Sequence, residues 1–284
     1  MEDEKALLRQ IFGDSSDSED KSEEKEDSIY DVGCHSTSDP NCPTWEPIKE
    51  IKGLWLCRNF LSPHQQSTLL SAIQNEGWFL EASNNQAMRF GDLPSWAIEL
   101  SNSIREVVLY GDRIHEPPSC AGSDRGEAAC WLPPDLLSRE PFFDQLIVNV
   151  YQPDSMFCRD RVNILLYPDV PSMIRCLHLK GICAHVDLMR FEDGIAIVSL
   201  ESSCVMHFTQ VGEVSDCGKE QPELPIKKIP VFLMPGSLVL LSGDARYLWK
   251  HEINRKPGFQ MWEGQEVNQE RRTSVTLRKL CHAE

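Results

Sequence analysis

The sequence lacks a long apolar run and an apolar leader. A helix that crosses a bilayer needs about 20 consecutive, mostly apolar residues, and no such stretch occurs among the 284 residues. The N-terminal MEDEK is acidic, whereas a secretory signal starts with a basic segment followed by an apolar one. We therefore expect an intracellular protein, cytoplasmic and/or nuclear, with no membrane partner and with its eleven cysteines mostly reduced.

Positive charge is also scarce. The chain has 28 Lys and Arg against 44 Asp and Glu, a formal net charge of −16. The stretch 14–27 alone holds eight acidic residues and two lysines, and such a run cannot form a buried core. Residues 1–45 are therefore predicted to be a disordered acidic tail. Within it, KALLRQIFGD carries apolar residues at helical spacing, either as a frayed helix or as a docking motif for a protein partner.

The composition of the chain changes near residue 142. Before it, two segments have helical periodicity, and Ser62 followed by Pro63 is a favourable start for the first. After it, Val-, Ile- and Thr-rich segments separated by Gly and Pro indicate strands in FDQLIVNVY, GIAIVSLES, CVMHFTQ, IPVFLMPGSLVLLSG and RRTSVTLRKL. This order predicts an α+β protein, with a helical region at 46–141 and a β-sandwich or jelly-roll core at 142–284.

The stretch CLHLKGICAHVDLM concentrates potential metal ligands. The chain has no CxxC pair, which disfavours structural zinc, although Cys183, His185 and Asp187 could share one strand face and bind it. The more ordinary role for Cys183 is a buried structural thiol. His185 and Asp187 also have the spacing of the 2-His-1-carboxylate triad that binds iron. That triad needs a distant second histidine: His251 follows Asp187 by 64 residues, and His207 is the rival.

The C-terminal segment RRTSVTLR alternates polar and apolar side chains. Read as a strand, it puts four polar side chains on one face, namely Arg272, Ser274, Thr276 and Arg278. Two arginines directed into a protein interior are costly unless an anion meets them, and a guanidinium pairs well with a carboxylate. The alternative is that this face is solvated and the apolar face packs on the core.

Taken together, these motifs resemble the AlkB family of Fe(II)/2-oxoglutarate oxygenases over residues 50–284. The resemblance is carried by Asn149-Val150-Tyr151, His185-Val186-Asp187, His251 and the alternating residues from Arg272 to Arg278. Three further stretches are most similar to the oxygenase domain of the tRNA wobble-uridine hydroxylases within that family, namely FEDGIAIVSLES, ARYLWKHEI and RRTSVTLRK.

The resemblance implies a double-stranded β-helix with an N-terminal substrate lid at 46–141. It implies Fe(II) bound by His185, Asp187 and His251. It further implies that 2-oxoglutarate and dioxygen are cosubstrates, and that five residues contact 2-oxoglutarate. Of these, Tyr151 and Arg272 would bind the distal carboxylate, and Asn149 and Arg278, beside Ser274, would support the carboxylate that chelates iron. The products would be succinate, CO2 and a hydroxylated or dealkylated substrate.

Two departures from the family pattern bear on function. Met189 stands where the bacterial DNA-repair members carry an acidic residue that contacts the base, which argues against repair of methylated DNA. Residues 154–180 are an atypical insertion between Tyr151 and the metal strand. The insertion is either a hairpin over the mouth of the site or a retained intron read in frame, and we favour the intron.

These features favour an oxygenase that acts on a modified nucleic acid, RNA rather than DNA. Non-specific nucleic-acid binding depends on Lys and Arg, so the acidic composition does not itself indicate it. Local phosphate contacts are expected from four basic residues, namely Arg89, Arg125, Arg190 and Lys250. The alternatives are an AlkB-like oxygenase of proteins or small molecules, and a catalytically impaired isoform that acts as a binding protein.

Overall fold

The structure is a computed structural model that describes residues 42–81, 84–110, 132–152, 181–211 and 227–281. Residues 1–41 of the predicted acidic tail lie outside the described residues. So do the insertion at 154–180, Arg125, and Cys176 and His178 of the ligand-rich stretch. Within the described ranges, no helix is both long and apolar enough to cross a bilayer.

The described helices are few and mostly lie early in the chain. They are α1 (Pro63–Asn75), α2 (Ser95–Tyr110), α3 (Pro134–Leu137) and α4 (Asp244–Tyr247). Ser62 caps α1: its Oγ accepts a hydrogen bond from the Gln65 N–H at 3.3 Å, and Gln65 Oε1 accepts one from the Ser62 N–H at 2.9 Å. This reciprocal pair satisfies two amide donors that the first helical turn leaves without partners. The predicted start of this helix is confirmed.

Most of the regular secondary structure of the described residues is antiparallel β-sheet. In chain order the strands are β1 (Thr44–Pro47), β2 (Leu54–Arg58), β3 (Gln86–Phe90), β4 (Gln145–Tyr151), β5 (Ile182–His185), β6 (Ile195–Leu200), β7 (Cys204–Gln210), β8 (Lys228–Leu233), β9 (Leu238–Leu241), β10 (Trp249–Ile253), β11 (Met261–Trp262), β12 (Gln265–Glu266) and β13 (Arg272–Arg278). The larger sheet has seven strands in the order β1-β2-β9-β6-β13-β4-β3, and the smaller has the order β5-β10-β7-β8. The short β11 and β12 pair with each other. The strands predicted after residue 142 are confirmed.

The larger sheet has an apolar core on each face. One core packs α1, α2 and α3 against alternate side chains of the sheet, among them Val148, Val275 and Leu277. The other lies between the two sheets and joins Ile197 and Val239 of the larger sheet to side chains of the smaller one, such as Phe208. The molecule therefore has three layers: helices, a seven-stranded sheet and a four-stranded sheet.

Strand β13 occupies the middle of the larger sheet, between β6 and β4. All seven of its residues are buried, including both arginines. The alternative that its polar face is solvated is therefore wrong. Because Val275 and Leu277 pack against the helices, the alternate residues from Arg272 to Arg278 face the smaller sheet.

A close approach fixes the start of β5. A Cβ atom added to Gly181 would lie 2.1 Å from the carbonyl oxygen of Ile253 in β10. Real side chains do not reach that distance, so only glycine allows β5 and β10 to approach here. The pairing that follows puts His185 directly opposite His251.

We predict that Ser62→Ala lowers the free energy of unfolding by about 1 kcal/mol, because the first turn of α1 loses its side-chain cap. Ser67→Ala is the matched control, since Ser67 is exposed within the same helix and alanine favours helix there. Urea unfolding followed by circular dichroism measures both. Equal losses in the two variants would contradict the capping role.

Candidate metal centre

Two histidines and one aspartate from two segments of the chain meet between the sheets. His185 ends β5, His251 lies opposite it in β10, and Asp187 follows β5 by two residues. One ligand atom from each lies within 4.8 Å of the other two, and the imidazole centroids are 4.4 Å apart. Cross-strand pairing explains the histidine pair, because directly opposed residues project from the same face of a sheet.

The Asp187 carboxylate is buried, and its two oxygens have different neighbours. Oδ1 forms a tight ion pair with the Arg278 guanidinium, while Oδ2 lies 3.8 Å from His251 Nε2. A buried carboxylate is costly unless a cation meets it, and Arg278 fills that need. One oxygen is thus held by the protein and the other faces the histidines, as a monodentate metal ligand requires.

Hydrogen bonding and burial determine how each histidine can bind a metal. His185 Nδ1 lies 2.8 Å from the Cys183 carbonyl oxygen, which can only accept, so Nδ1 is the donor and Nε2 is the nitrogen directed to metal binding. Burial lowers the pKa of His251 to about 4, because the charged imidazolium is poorly solvated there, and the nearby Asp187 opposes this shift only in part. His251 is therefore neutral at neutral pH, as metal binding requires.

The other end of β13 carries a second buried arginine, Arg272, whose surroundings form a candidate anion-binding region. Arg272 is only 2% exposed and its Nε donates to Ser199 Oγ at 3.2 Å, but Nη1 and Nη2 form no hydrogen bond within the described part of the chain. The guanidinium carbon lies 5.4 Å from the ring centroid of Tyr151, which is its cross-strand partner. A buried guanidinium whose two terminal nitrogens have no hydrogen-bond partner among the described residues fits an acidic ligand, since a carboxylate can bind both nitrogens at once.

A small cavity adjoins this region. Its volume is about 10 Å³, close to the space that one water molecule needs, and its lining includes Tyr151, Cys204, Arg255 and Arg272. Burial raises the pKa values of the Tyr151 hydroxyl and the Cys204 thiol, and the positive charge of Arg272 opposes both shifts. Both groups therefore stay neutral beside Arg272 at neutral pH, and the region keeps its positive charge.

The predicted 2-oxoglutarate residues share one surface. Asn149 and Ser274 are opposed across β4 and β13, two positions along from the Tyr151–Arg272 pair. Asn149 Oδ1 accepts a hydrogen bond of 2.6 Å from Gln86 Nε2 in β3. Gln86 was not anticipated from the sequence, because only the pairing of β3 with β4 brings it opposite Asn149. Arg278, expected near the iron-chelating carboxylate, contacts Asp187 itself.

Sequence reasoning also missed Arg246. This residue of α4 is 1% exposed, and its guanidinium donates to the carbonyl oxygens of Asp187, Leu188 and Phe191 at 3.0, 2.8 and 3.0 Å. A lone arginine close before a metal-binding histidine was the available signal. Its partners are backbone carbonyls, which no residue pattern reveals.

Two rival ligands lie outside the cluster. His207 is half-buried, stands opposite Glu252 in β10 and is not part of the His-Asp-His group. Cys183 is exposed, so the expectation of a buried thiol is wrong. Among the described residues the metal-binding group contains no cysteine, which makes the zinc alternative weaker.

Basic and apolar side chains lie on the surface near the Asp187 loop. Arg190, which follows Asp187 by three residues, has its guanidinium carbon 5.4 Å from the Phe90 ring centroid. Arg89 lies over Trp78 at 4.4 Å, but it projects from the opposite face of β3, the face that packs against the helices. Next to Arg190 the side chains of Leu188 and Met189 are 60% and 70% exposed. Lys250 is exposed on β10.

The fold and the site define a class. An antiparallel β protein with a His-Asp-His group between its sheets has the donor set of the 2-His-1-carboxylate centres, and this group is compatible with Fe(II).

Comparison with known proteins finds relatives by sequence and a structural neighbour. No protein-family model matches the chain. The chain is 27% identical over 251 residues to the tRNA (carboxymethyluridine(34)-5-O)-methyltransferase alkbh8 of Xenopus tropicalis, covering 81% of this chain and 32% of that protein. It is 27% identical over 253 residues to the alkylated DNA repair protein ALKBH8 homolog of Arabidopsis thaliana, covering 81% of this chain and 59% of that one. Among solved structures, OsALKBH1 aligns with a TM-score of 0.45 and 13% identity, over 80% of this chain and 96% of that chain.

The two sequence matches confirm the predicted resemblance: the chain is homologous to the ALKBH8 proteins. It spans about a third of the Xenopus relative and about three fifths of the Arabidopsis one.

We predict that His185→Ala, Asp187→Asn and His251→Ala each weaken Co²⁺ binding by more than about 100-fold, because each removes a ligand rather than a supporting group. Co²⁺ is a suitable probe because its visible absorption reports its coordination. His207→Ala is the matched control and should keep the affinity of the unmodified protein. If His207→Ala alone abolished binding, the cluster assignment would be wrong.

Proposed function

We propose that the protein is an Fe(II)- and 2-oxoglutarate-dependent dioxygenase of the AlkB type, which hydroxylates or oxidatively dealkylates a modified nucleic acid, RNA in preference to DNA. The observation that carries the proposal is the polar face of β13. Arg278 forms an ion pair with Asp187 of the metal group. Arg272 has two buried terminal nitrogens without a hydrogen-bond partner among the described residues. Such a face suits a ligand that chelates a metal at one end and bears a carboxylate at the other.

The architecture supports this assignment in its finer detail. We infer that the two facing sheets form a double-stranded β-helix, with the metal group between them. Within region 46–141, β3 would form the lid over the substrate, because α1, α2 and α3 pack on the face of the larger sheet that points away from the metal group. Strand β2 of this region and β1, which begins at Thr44, pair into the larger sheet.

Each site residue has a defined part in the proposed reaction. Bound Fe(II) would supply the activation of dioxygen, with decarboxylation of 2-oxoglutarate to succinate and CO2. His185, Asp187 and His251 would occupy three positions around the ion and leave the others open. Arg272 and Tyr151 would bind the distal carboxylate of 2-oxoglutarate, while Asn149, Ser274 and Arg278 would orient its other end. A hydroxylated N-alkyl carbon would leave as an aldehyde.

Nucleic acid is the substrate class that the surface favours. The Arg190–Phe90 and Arg89–Trp78 pairs combine a guanidinium with an aromatic face, a combination that binds phosphate and stacks on unpaired bases. RNA is preferred because Met189 replaces the acidic residue of the DNA-repair members, and because the Xenopus relative is named for a tRNA activity.

The net charge of −16 favours a second candidate, an oxygenase of a protein or small molecule. In either case we propose a cytoplasmic and/or nuclear location. We also propose that the acidic tail, whose residues 1–41 lie outside the described residues, binds a protein partner. If this isoform is catalytically impaired, such binding would be its function.

Turnover tests the catalytic proposal. Purified protein with Fe(II), ascorbate and 2-oxoglutarate should release succinate, and His185→Ala should not. Arg272→Gln should raise the KM for 2-oxoglutarate by about 10- to 100-fold, the cost of one or two charge-assisted hydrogen bonds. Arg271→Gln is the control, because the adjacent Arg271 pairs with Glu201 instead. Succinate release by His185→Ala at the rate of the unmodified protein would exclude the proposal.

Binding to bulk tRNA tests the substrate class. We expect the affinity for tRNA to fall steeply as the salt concentration rises. The salt dependence should be shallower in an Arg89→Gln, Arg190→Gln double variant, because binding with fewer phosphate contacts releases fewer counterions. Arg58→Gln is the control, since Arg58 lies on β2 and pairs with Glu46. Filter binding between low and moderate salt measures the slopes. Absence of salt-sensitive binding would favour the protein or small-molecule alternative.

A further inference from the structure

Arg246 is among the most deeply buried large side chains, and its hydrogen bonds serve one loop. All three carbonyl oxygens that it contacts belong to the segment from Asp187 to Phe191, which begins with a metal ligand. Burying a guanidinium is expensive, and hydrogen bonds to carbonyls offset that cost only while the loop keeps its conformation. Arg246 and the loop therefore determine each other's position.

The loop is attached at other points, but none of them holds the backbone of Asp187. The Cys281 N–H donates to the Arg190 carbonyl at 2.9 Å, and the Glu192 N–H donates to the Lys279 carbonyl at 2.8 Å. These bonds tie the far end of the loop to the residues after β13. The Arg278 ion pair holds the Asp187 side chain. Of these contacts, only the Arg246 Nη1 bond fixes the carbonyl of Asp187.

Helix α4 also connects this loop to the second histidine. Arg246 lies five residues before His251, and β10 begins two residues after α4 ends. The Asp193 carboxylate accepts the Gly243 N–H at 3.0 Å, so the turn before α4 is also tied to the segment that follows the loop. The segments that carry Asp187 and His251 thus meet through Arg246 as well as through any shared metal.

We propose that Arg246 is a positioning residue for the metal centre: its fork of three hydrogen bonds fixes the backbone of Asp187 so that Oδ2 faces His185 and His251 before any metal binds. This inference rests on the proposed metal site, but not on the identity of the substrate. If the Asp187 carboxylate is already in position, the free energy of metal binding does not include the cost of ordering the loop. Loss of the fork should therefore weaken metal binding more than it weakens the fold.

Co²⁺ titration, followed by visible absorption in the full-length protein, tests this role. Arg246→Met keeps a long side chain but removes every donor, and Arg246→Lys keeps the charge with a single nitrogen. The matched control is Arg139→Met. Arg139 is also largely buried and donates to three carbonyls, those of Phe142, Asp193 and Gly194, but to none between Asp187 and Phe191.

We expect Arg246→Met to weaken Co²⁺ binding by about 10- to 100-fold, the usual effect of losing a group that orients a metal ligand, with Arg246→Lys intermediate. Both Arg246→Met and Arg139→Met should unfold at lower temperature, yet Arg139→Met should bind Co²⁺ within about threefold of the unmodified protein. If Arg246→Met does not fold, the comparison of Arg246→Lys with Arg139→Met decides.

Equal Co²⁺ affinity in folded Arg246 variants and unmodified protein would overturn the proposal. So would an equal loss of affinity in Arg139→Met. Failure of the proposed function gives a different result: unmodified protein that binds Co²⁺ but releases no succinate would leave the positioning role standing. Unmodified protein that binds no Co²⁺ would overturn both.

Discussion

The structure depends on the burial of two arginines on one face of a central strand. Arg272 and Arg278 lie in the middle of the seven-stranded sheet and face the smaller sheet, where an unmet positive charge is costly. Asp187 meets one of them. The other is met only in part, by Ser199 and the surroundings of Tyr151. The metal group and the candidate anion-binding region therefore each lie beside one of these two buried positive charges.

Antiparallel strand pairing brings the residues of the candidate site together. Because β5 and β10 pair with His185 opposite His251, two residues far apart in sequence reach one point without any loop having to fold around them. The pairing of β4 with β13 does the same for Tyr151 and Arg272. Of the three residues of the metal group, Asp187 is the one that lies outside a strand. The buried side chains of Arg246 and Arg278 hold it in place. Rigid strands supply most of the geometry, and hydrogen bonds supply the rest.

Alternation along β13 explains why one part of the candidate site could be grouped from the sequence: Arg272 and Ser274 lie two apart and share a face. His185 and Asp187 also meet, but β5 ends at His185, so strand alternation does not account for their meeting; the contacts of Asp187 with Arg246 and Arg278 hold it there. The helix start at Ser62 was predictable for a similarly local reason. What could not be predicted depends on contacts between distant segments. The Gln86–Asn149 hydrogen bond follows from the pairing of β3 with β4, the Arg246 contacts involve carbonyls that every residue has, and the exposure of Cys183 follows from how β5 lies at the edge of its sheet.

Gly181 has a consequence for how the chain can vary in length. Tyr151 is fixed by its pairing with Arg272 in one sheet, and Gly181 by its close approach to Ile253 in the other. The segment between them therefore joins two anchored points, and the entropy of closing such a connection grows only logarithmically with its length. A change in the length of this segment would therefore leave the pairing of Tyr151 with Arg272 and the approach of Gly181 to Ile253 as they are. Forms of the protein that differ in this segment would keep the same arrangement of His185, Asp187 and His251.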